Sequence, residues 1–375
     1  MILLSISISL VYLILIWRFV YGFGKTPDFT LKNLEHTTKF SVLIAFRNEA
    51  ENLPALLESI ENLNYPTHLF EIIFIDDEST DDSSQIITSF FNNKKKQNFK
   101  VIPNHRLTHS PKKDAITTAI NIAEHEWIVT TDADCYLPKY WLDSFDEFIQ
   151  TTNTACIAAP VTYNLEKSFL NGFQTLDILS LQGATIGGFG IKKPFLCNGA
   201  NFAYTKAIFK TINGFEGNTD IASGDDVFML EKIAKNRANE LHYLKCEQAI
   251  VKTNAQPTWG SLIEQRLRWA SKTSAYNSSF GKITGLIVLL MNVLTISVII
   301  LLLLGCFPLK ALFYVLVIKF NIDFYLISKT ATFFNQKKVF ESYMPSFFIY
   351  PFFSVYIAFL SIFKTYNWKG RTFKK

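Results

Sequence analysis

Apolar residues are segregated to the two ends of this chain, and that segregation constrains it more than any single motif does. Residues 1–22 and the stretch from Leu286 onward are mostly aliphatic and aromatic, while charged residues concentrate between them. Apolar runs of about 20 residues match the hydrocarbon thickness of a bilayer. The chain therefore reads as a polar domain held between membrane segments.

Ile2 to Trp17 has no basic residue before it and is followed by Arg18, Lys25 and Lys32. A cleavable signal carries its charge in the reverse order. Residues 1–22 thus read as an uncleaved anchor that leaves the polar domain on the cytoplasmic side of an inner or plasma membrane. Ile283 to Cys306 forms a second span, and Tyr343 to Phe363 is a further one despite Pro345 and Pro351. Pro308 to Phe334 is also apolar but carries Lys319 and Asp323 at i,i+4 spacing, where the two can pair across one turn. The basic tail 364–375 holds Lys364, Lys369, Arg371, Lys374 and Lys375 and no acid, which favours the cytoplasm. Two C-terminal crossings give that result and three do not, so the region 283–363 holds two or three spans.

Composition narrows the remaining classes. The five cysteines are odd in number, scattered and without a Cys-x-x-Cys pair, so neither a disulfide frame nor a zinc site is expected. The histidines form no ligand spacing. A formal charge of +5 with basic residues near membrane segments suits anionic lipid, and no interleaved aromatic and basic pattern points to nucleic acid.

Within the polar region, Phe40 to Ala45, Ile72 to Ile75, Lys100 to Ile102 and Trp127 to Thr130 read as short strands. They alternate with helical patterns: Leu53, Leu56, Leu57 and Ile60; Ile86, Ile87 and Phe90 after a start near Thr80 or Asp81; and Ala115 to Ala123. Strands apolar throughout and separated by helices indicate a mainly parallel sheet covered on both faces. Ligands of such sheets bind beyond the carboxyl ends of the strands. Arg47 and Glu49, Asp76 and Asp77, and Asp132 and Asp134 all fall just past such ends. Asp132 and Asp134, two residues apart, suit either a shared cation or sugar hydroxyl, or a solvated turn.

Five segments occur in order: Ala45-Phe46-Arg47-Asn48-Glu49, Asp76-Asp77-Glu78-Ser79-Thr80, Asp132-Ala133-Asp134, Gly224-Asp225-Asp226 and Gln265-Arg266-Leu267-Arg268-Trp269. This ordered set, spanning residues 38–272, resembles the membrane-bound family 2 glycosyltransferases, whose relatives include ceramide glucosyltransferase, cellulose synthase and hyaluronan synthase. The resemblance implies an α/β fold of GT-A type, a Rossmann-like, mainly parallel sheet with helices on both faces, in a domain over 38–272 with transmembrane helices at both ends.

It also implies roles. Asp76 and Asp77 recognise the base and ribose of a nucleoside-diphosphate sugar, with Arg47 and Glu49 beside them. Pro111-Lys112-Lys113-Asp114-Ala115-Ile116 is similar to the family's Gly-Lys-x-x-Ala-Leu, with Pro111 in the glycine's place, so Lys112 and Lys113 face donor phosphate at a helix start. Asp134 is the direct ligand of Mg²⁺ or Mn²⁺, and Asp132 lies nearer the ribose. Asp225 stands where the family has glutamate, and Asp226 is the general base of a single inverting displacement. Asn198 and Gly199 line the acceptor side, while Gln265, Arg266, Arg268 and Trp269 bind diphosphate or acceptor.

The expected activity is transfer to a membrane-associated, lipid-linked acceptor. A processive polysaccharide synthase is the rival within enzymes, but few spans and the short Asn277 to Gly285 link argue against a secretion channel. A pseudo-transferase that only binds nucleotide-sugar is the non-enzymatic rival, and Asp226 together with the other acidic clusters argues against it.

Overall fold

A computed structural model describes residues 2–94, 98–272 and 275–373; of the basic tail, Lys374 and Lys375 lie outside the described residues. Chain order begins α1 (Ile2–Lys25), β1 (Phe40–Phe46), α2 (Leu53–Glu61), β2 (Phe70–Asp76), α3 (Ser83–Asn93), β3 (Phe99–Pro103), α4 (Pro111–Ile122) and β4 (Trp127–Thr130). It continues with β5 (Cys135–Tyr136), α5 (Trp141–Thr151), β6 (Cys156–Ala158), β7 (Val161–Tyr163), α6 (Phe169–Gly190), β8 (Phe202–Thr205), α7 (Lys206–Thr211) and α8 (Asp225–Asn236). Then come β9 (Leu241–Tyr243), β10 (Val251–Thr253), α9 (Trp259–Ser271), α10 (Ser279–Leu303), α11 (Leu309–Phe333), α12 (Tyr343–Phe363), β11 (Tyr366–Trp368) and β12 (Arg371–Phe373).

These elements form two compact units. The polar unit comprises Pro27–Asn164 and Cys197–Asn254, and the apolar unit comprises Met1–Thr26, Leu165–Leu196 and Ala255–Lys375. Helices α6 and α9 cluster with the apolar helices.

In the polar unit a seven-stranded sheet has the order β3-β2-β1-β4-β8-β6-β9. β1, β2, β3 and β4 run parallel, β8 is antiparallel to both its neighbours, and β9 is parallel to β6. The sheet is thus mainly parallel, as expected. Strands β1 and β4 are buried almost throughout because helices cover both faces. The core packs Leu53, Leu56, Leu57 and Ile60 of α2 beside Phe40, Val42, Phe74 and Trp141, and each such side chain contributes about 1.5–3 kcal/mol on burial. α3 starts later than expected, after Asp82, and its inward stripe is Ile87 and Phe91, with Ile86 and Phe90 half-buried.

Register decides what reaches the ligand edge. Phe46, Asp76 and Pro103 are partners across β1, β2 and β3, so Arg47, Asp77 and Asn104 leave the sheet side by side. The reversed strand β8 pairs its first residue, Phe202, with Thr130 at the end of β4. Its leading segment Asn198–Asn201 therefore arrives at the same edge.

In the apolar unit, four helices are long and apolar enough to cross a membrane: Ile2–Lys25, Ser279–Leu303, Leu309–Phe333 and Lys337–Phe363. α1 and α6 cross so closely that a Cβ on Gly190 would stand 1.8 Å from the Gly22 carbonyl oxygen, so only glycine fits there. The Lys319–Asp323 pair expected in α11 forms, with Nζ 2.5 Å from Oδ2, and the other carboxylate oxygen accepts from Tyr12 of α1 at 2.5 Å. The acid and base thus neutralise one another inside the helix bundle.

Candidate active site

At the carboxyl edge of β1 and β2, the Arg47 guanidinium donates to the carbonyls of Asp77 at 2.5 Å and Glu78 at 2.7 Å. It thereby clamps the turn after β2. Asp76 is drawn into that turn, accepting from the Ser79 amide at 2.8 Å and the Ser84 hydroxyl at 2.6 Å. Asp77 is buried, and its Oδ1 accepts from Asn104 at 2.7 Å and lies 3.3 Å from Arg106. Glu49 accepts from Asn52 at 2.7 Å at the start of α2, while its own amide donates to Ser83 at 2.9 Å.

A second group gathers where β4, α4 and α8 meet. Lys112 sits in the first turn of α4, and its Nζ lies 2.6 Å from Asp132 Oδ1 and 3.5 Å from Asp225 Oδ2. Burial works against this ammonium, but Asp132 and Asp225 outweigh it, so Lys112 is held above the usual lysine range and stays charged. Lys113 goes elsewhere. Its buried ammonium donates to the carbonyls of Asn218 at 2.6 Å and Ile221 at 2.8 Å, and it stands 4.9 Å over the Phe228 ring. Of the two lysines expected to face donor phosphate, the structure brings only Lys112 to the acidic group, and Lys113 anchors the loop before α8.

Asp225 and Asp226 form the first turn of α8, where the helix N-terminus favours negative charge. Asp226 is fixed by two amides: Gly199 N–H donates to Oδ2 at 3.0 Å and Val227 N–H to Oδ1 at 2.7 Å. The Gly199 carbonyl in turn accepts from Thr130 at 2.7 Å, which ties the acid pair to the end of β4. Asn198 caps the short turn that follows, accepting from the Ala200 amide at 3.0 Å.

A side chain at Gly199 would be tightly placed against two charged groups. A Cβ there would stand 3.0 Å from Asp225 Oδ2 and 3.3 Å from Lys112 Nζ. Gly199→Ala should shift both groups, lowering turnover about tenfold at an overpacking cost of about 1–3 kcal/mol. Steady-state kinetics together with thermal melting check this; an unchanged rate would mean the two charged groups need no fixed separation.

Asp134 carries the clearest electrostatic mark. Burial first, then the charges of Asp132 and Glu49, push its carboxyl up to about 6, against an opposing hydrogen bond from Thr253. Such a carboxyl is short of positive charge. Asp132 and Asp134 therefore suit a divalent cation, and two carboxylates with phosphate oxygens completing the shell is a set that Mg²⁺ and Mn²⁺ accept. Among the described residues no group of three or more His, Cys, Asp or Glu side chains is arranged to hold a metal.

The residues Gln265, Arg266, Arg268 and Trp269 lie on α9 in the apolar unit. Arg266 is buried, with Nε and Nη2 at 2.8 and 2.7 Å from Asp177 Oδ2, its Nη1 bonded to Gln265 and its guanidinium 4.1 Å from the centre of the Trp269 ring. Tyr350 donates to the other Asp177 oxygen at 3.0 Å. Asp177→Ala should cost about 3–5 kcal/mol because it strands a buried guanidinium. Melting in detergent tests this, and a loss below 1 kcal/mol would contradict the burial of that charge.

Sequence reading missed Asn104, Arg106, Thr130 and Thr253. The signal for the first two lay in the edge rule, since both follow β3 directly. Thr253 reaches Asp134 from β10, which joins β5 and β7 in a separate small sheet that no periodicity announced.

Comparison with curated proteins finds no match. Among solved structures, the mannosyltransferase PcManGT from Pyrobaculum calidifontis, in complex with GDP-Man and Mn²⁺, is similar over 96% of this chain and 96% of its own, at 15% identity and a TM-score of 0.56. S. aureus TarS is similar over 67% of this chain at 20% identity and a TM-score of 0.44, and the chain spans 42% of the TarS length. At these identities the likeness is one of fold. Residues 41–212 match the family described as Glycosyl transferase family 2, and residues 127–359 match Glycosyl transferase family group 2. The longer match takes in α9, α10 and α11 as well as the carboxylates of β4 and α8, and the chain accordingly belongs to the family 2 glycosyltransferases.

Proposed function

We propose that this glycosyltransferase moves a sugar from a nucleoside-diphosphate donor to a lipid-linked acceptor at the membrane surface, with inversion at the anomeric carbon. The observation that carries the reading is the convergence of Lys112, Asp132, Asp225 and Asp226 around Gly199 at the carboxyl edge of the sheet. The PcManGT complex holds a nucleoside-diphosphate sugar with a divalent ion in a similar fold, which supports the donor class.

In this reading Asp77, with Asn104 and Arg106, receives the nucleoside, and the turn held by Arg47 shapes that pocket. Asp132 and Asp134 hold a divalent cation, which when bound neutralises charge on the departing diphosphate. Lys112, permanently charged, supplies a second positive group to the same phosphates. Asp226 takes the proton from the acceptor hydroxyl as its oxygen bonds the anomeric carbon and the bond to diphosphate breaks. Its two amide bonds hold the carboxylate still for that transfer. Arg268 and Trp269 are assigned to diphosphate or acceptor, whereas Arg266 serves mainly to hold α9 through Asp177. The acceptor class follows from the apolar helices that flank the catalytic sequence, and the catalytic unit is assigned to the cytoplasmic side. A panel of nucleotide-sugars assayed for nucleotide release and lipid labelling, with Asp226→Asn beside the native chain, tests the proposal.

A further inference from the structure

The four apolar helices do not all run between opposite faces of a bilayer. α1 ends at Lys25, where the chain enters the polar unit, and this defines a near side. α11 runs parallel to α1: Asp323 meets Tyr12, Tyr325 stacks on Trp17 at 6.1 Å, and Phe333 meets Phe23 at 6.5 Å. It therefore also ends near. α10 begins near, with Phe280 against Phe19 at 6.1 Å, and ends far, where residues 304–308 lead into α11.

α12 starts after the near end of α11, and β11, which follows it within three residues, lies against α9, the helix that leads into the near end of α10. α12 therefore ends near, and it starts beside Phe320 of α11, to whose carbonyl the Tyr343 hydroxyl donates at 2.9 Å, five residues inward of Tyr325. A crossing by its 21 residues would carry β11 about 30 Å away. Its middle is held from the side: Tyr350 bonds Asp177 of α6, and Phe353 packs on Phe173 at 5.2 Å and on Trp259 at 6.2 Å.

We infer that α12 lies in the near leaflet rather than across it, so the chain crosses three times, through α1, α10 and α11, and its tail returns to the side on which α1 ends. The two faces of α12 fit this placement. Phe348, Phe352, Tyr356 and Phe359 are exposed along one stripe for acyl chains, while Tyr343, Ser346 and Tyr350 turn toward the protein. Trp17 and Tyr325, both largely exposed, mark the interfacial belt. Charge agrees as well. Lys25, Lys337, Lys338, Lys364 and Arg371 share the near side, whereas the far turn 304–310 carries only Lys310. The disagreement between apolar length and tail charge disappears without moving a residue.

Cysteine labelling in sealed membrane vesicles tests this independently of any reaction. Native Cys306, exposed in the far loop, is one reporter; Lys32→Cys and Lys364→Cys in a Cys306→Ser chain are the others. An impermeant maleimide should modify positions 32 and 364 from one side and Cys306 only from the other. Position 364 reacting from the Cys306 side would overturn the inference. Spin labels at positions 348, 352 and 359 provide a second reading: similar shallow depths support an in-plane helix, and a steady depth gradient along α12 would also overturn it.

Discussion

Replacing Asp226 with asparagine should lower transfer about 10²–10⁴-fold while donor affinity stays within a few-fold of native, because the change removes the proposed base and leaves the residues assigned to the nucleotide untouched. The site geometry makes this a sharp test. Asp226 accepts from the Gly199 and Val227 amides through different oxygens, so asparagine can keep only one of these bonds and must turn its amino group from the other. Asp226→Glu should restore little, since an added methylene displaces the carboxylate from both amides. Asp225→Asn is expected to do less harm to the proton transfer itself, because Asp225 serves Lys112 at 3.5 Å. Turnover by nucleotide release, with nucleotide-induced thermal shifts for donor binding, separates the two effects. Equal turnover in native and Asp226→Asn protein would remove Asp226 from the base role.

The second large effect concerns Asp134. Its folded pKa, pushed up to about 6, lies above the ordinary 3.8, so the folded state binds this proton more tightly than the unfolded state does. That contribution to stability is present in full below pH 4 and is lost as pH rises through 6. Metal-free protein should therefore lose melting temperature over this window, and Asp134→Asn should flatten the loss and melt higher than native above pH 6. With Mn²⁺ the order reverses. Native protein gains stability from the ion at pH 7.5 according to mass action, whereas Asp134→Asn gains little and transfers sugar poorly at any metal concentration. Melting curves at pH 5 and 7.5, with and without Mn²⁺, read both halves. A variant with native Mn²⁺ stabilisation would show that Asp134 is no ligand.

Much of this was legible in the chain itself. β1, β2, β3 and β4 stand out because strands buried on both faces have to be apolar without alternation, and the rule that ligands bind beyond their carboxyl ends then places Asp77 and Asp132. Asn198 and Gly199 were legible as site residues only through the family resemblance, and the strand they lead into, β8, was not legible as one that runs backwards. Its reversed direction brings Gly199 to Asp226, and direction within a sheet leaves no mark in a four-residue strand. Lys112 and Lys113 are adjacent and chemically equal in sequence; successive positions on a helix point about 100° apart, and only the fold shows which one meets the acids. For Arg266 the difficulty was different, since its partner Asp177 lies 89 residues earlier in the chain.

Membranes carrying the native chain or Asp226→Asn, incubated with Mn²⁺ and each radiolabelled nucleoside-diphosphate sugar in turn and then extracted for lipid, test the central claim most directly. The account predicts label in the lipid fraction for at least one donor with the native chain, nucleotide released in equal amount, and neither with Asp226→Asn. Lipid label of equal intensity in both samples, or no lipid label from any donor that the native chain demonstrably binds, would contradict it.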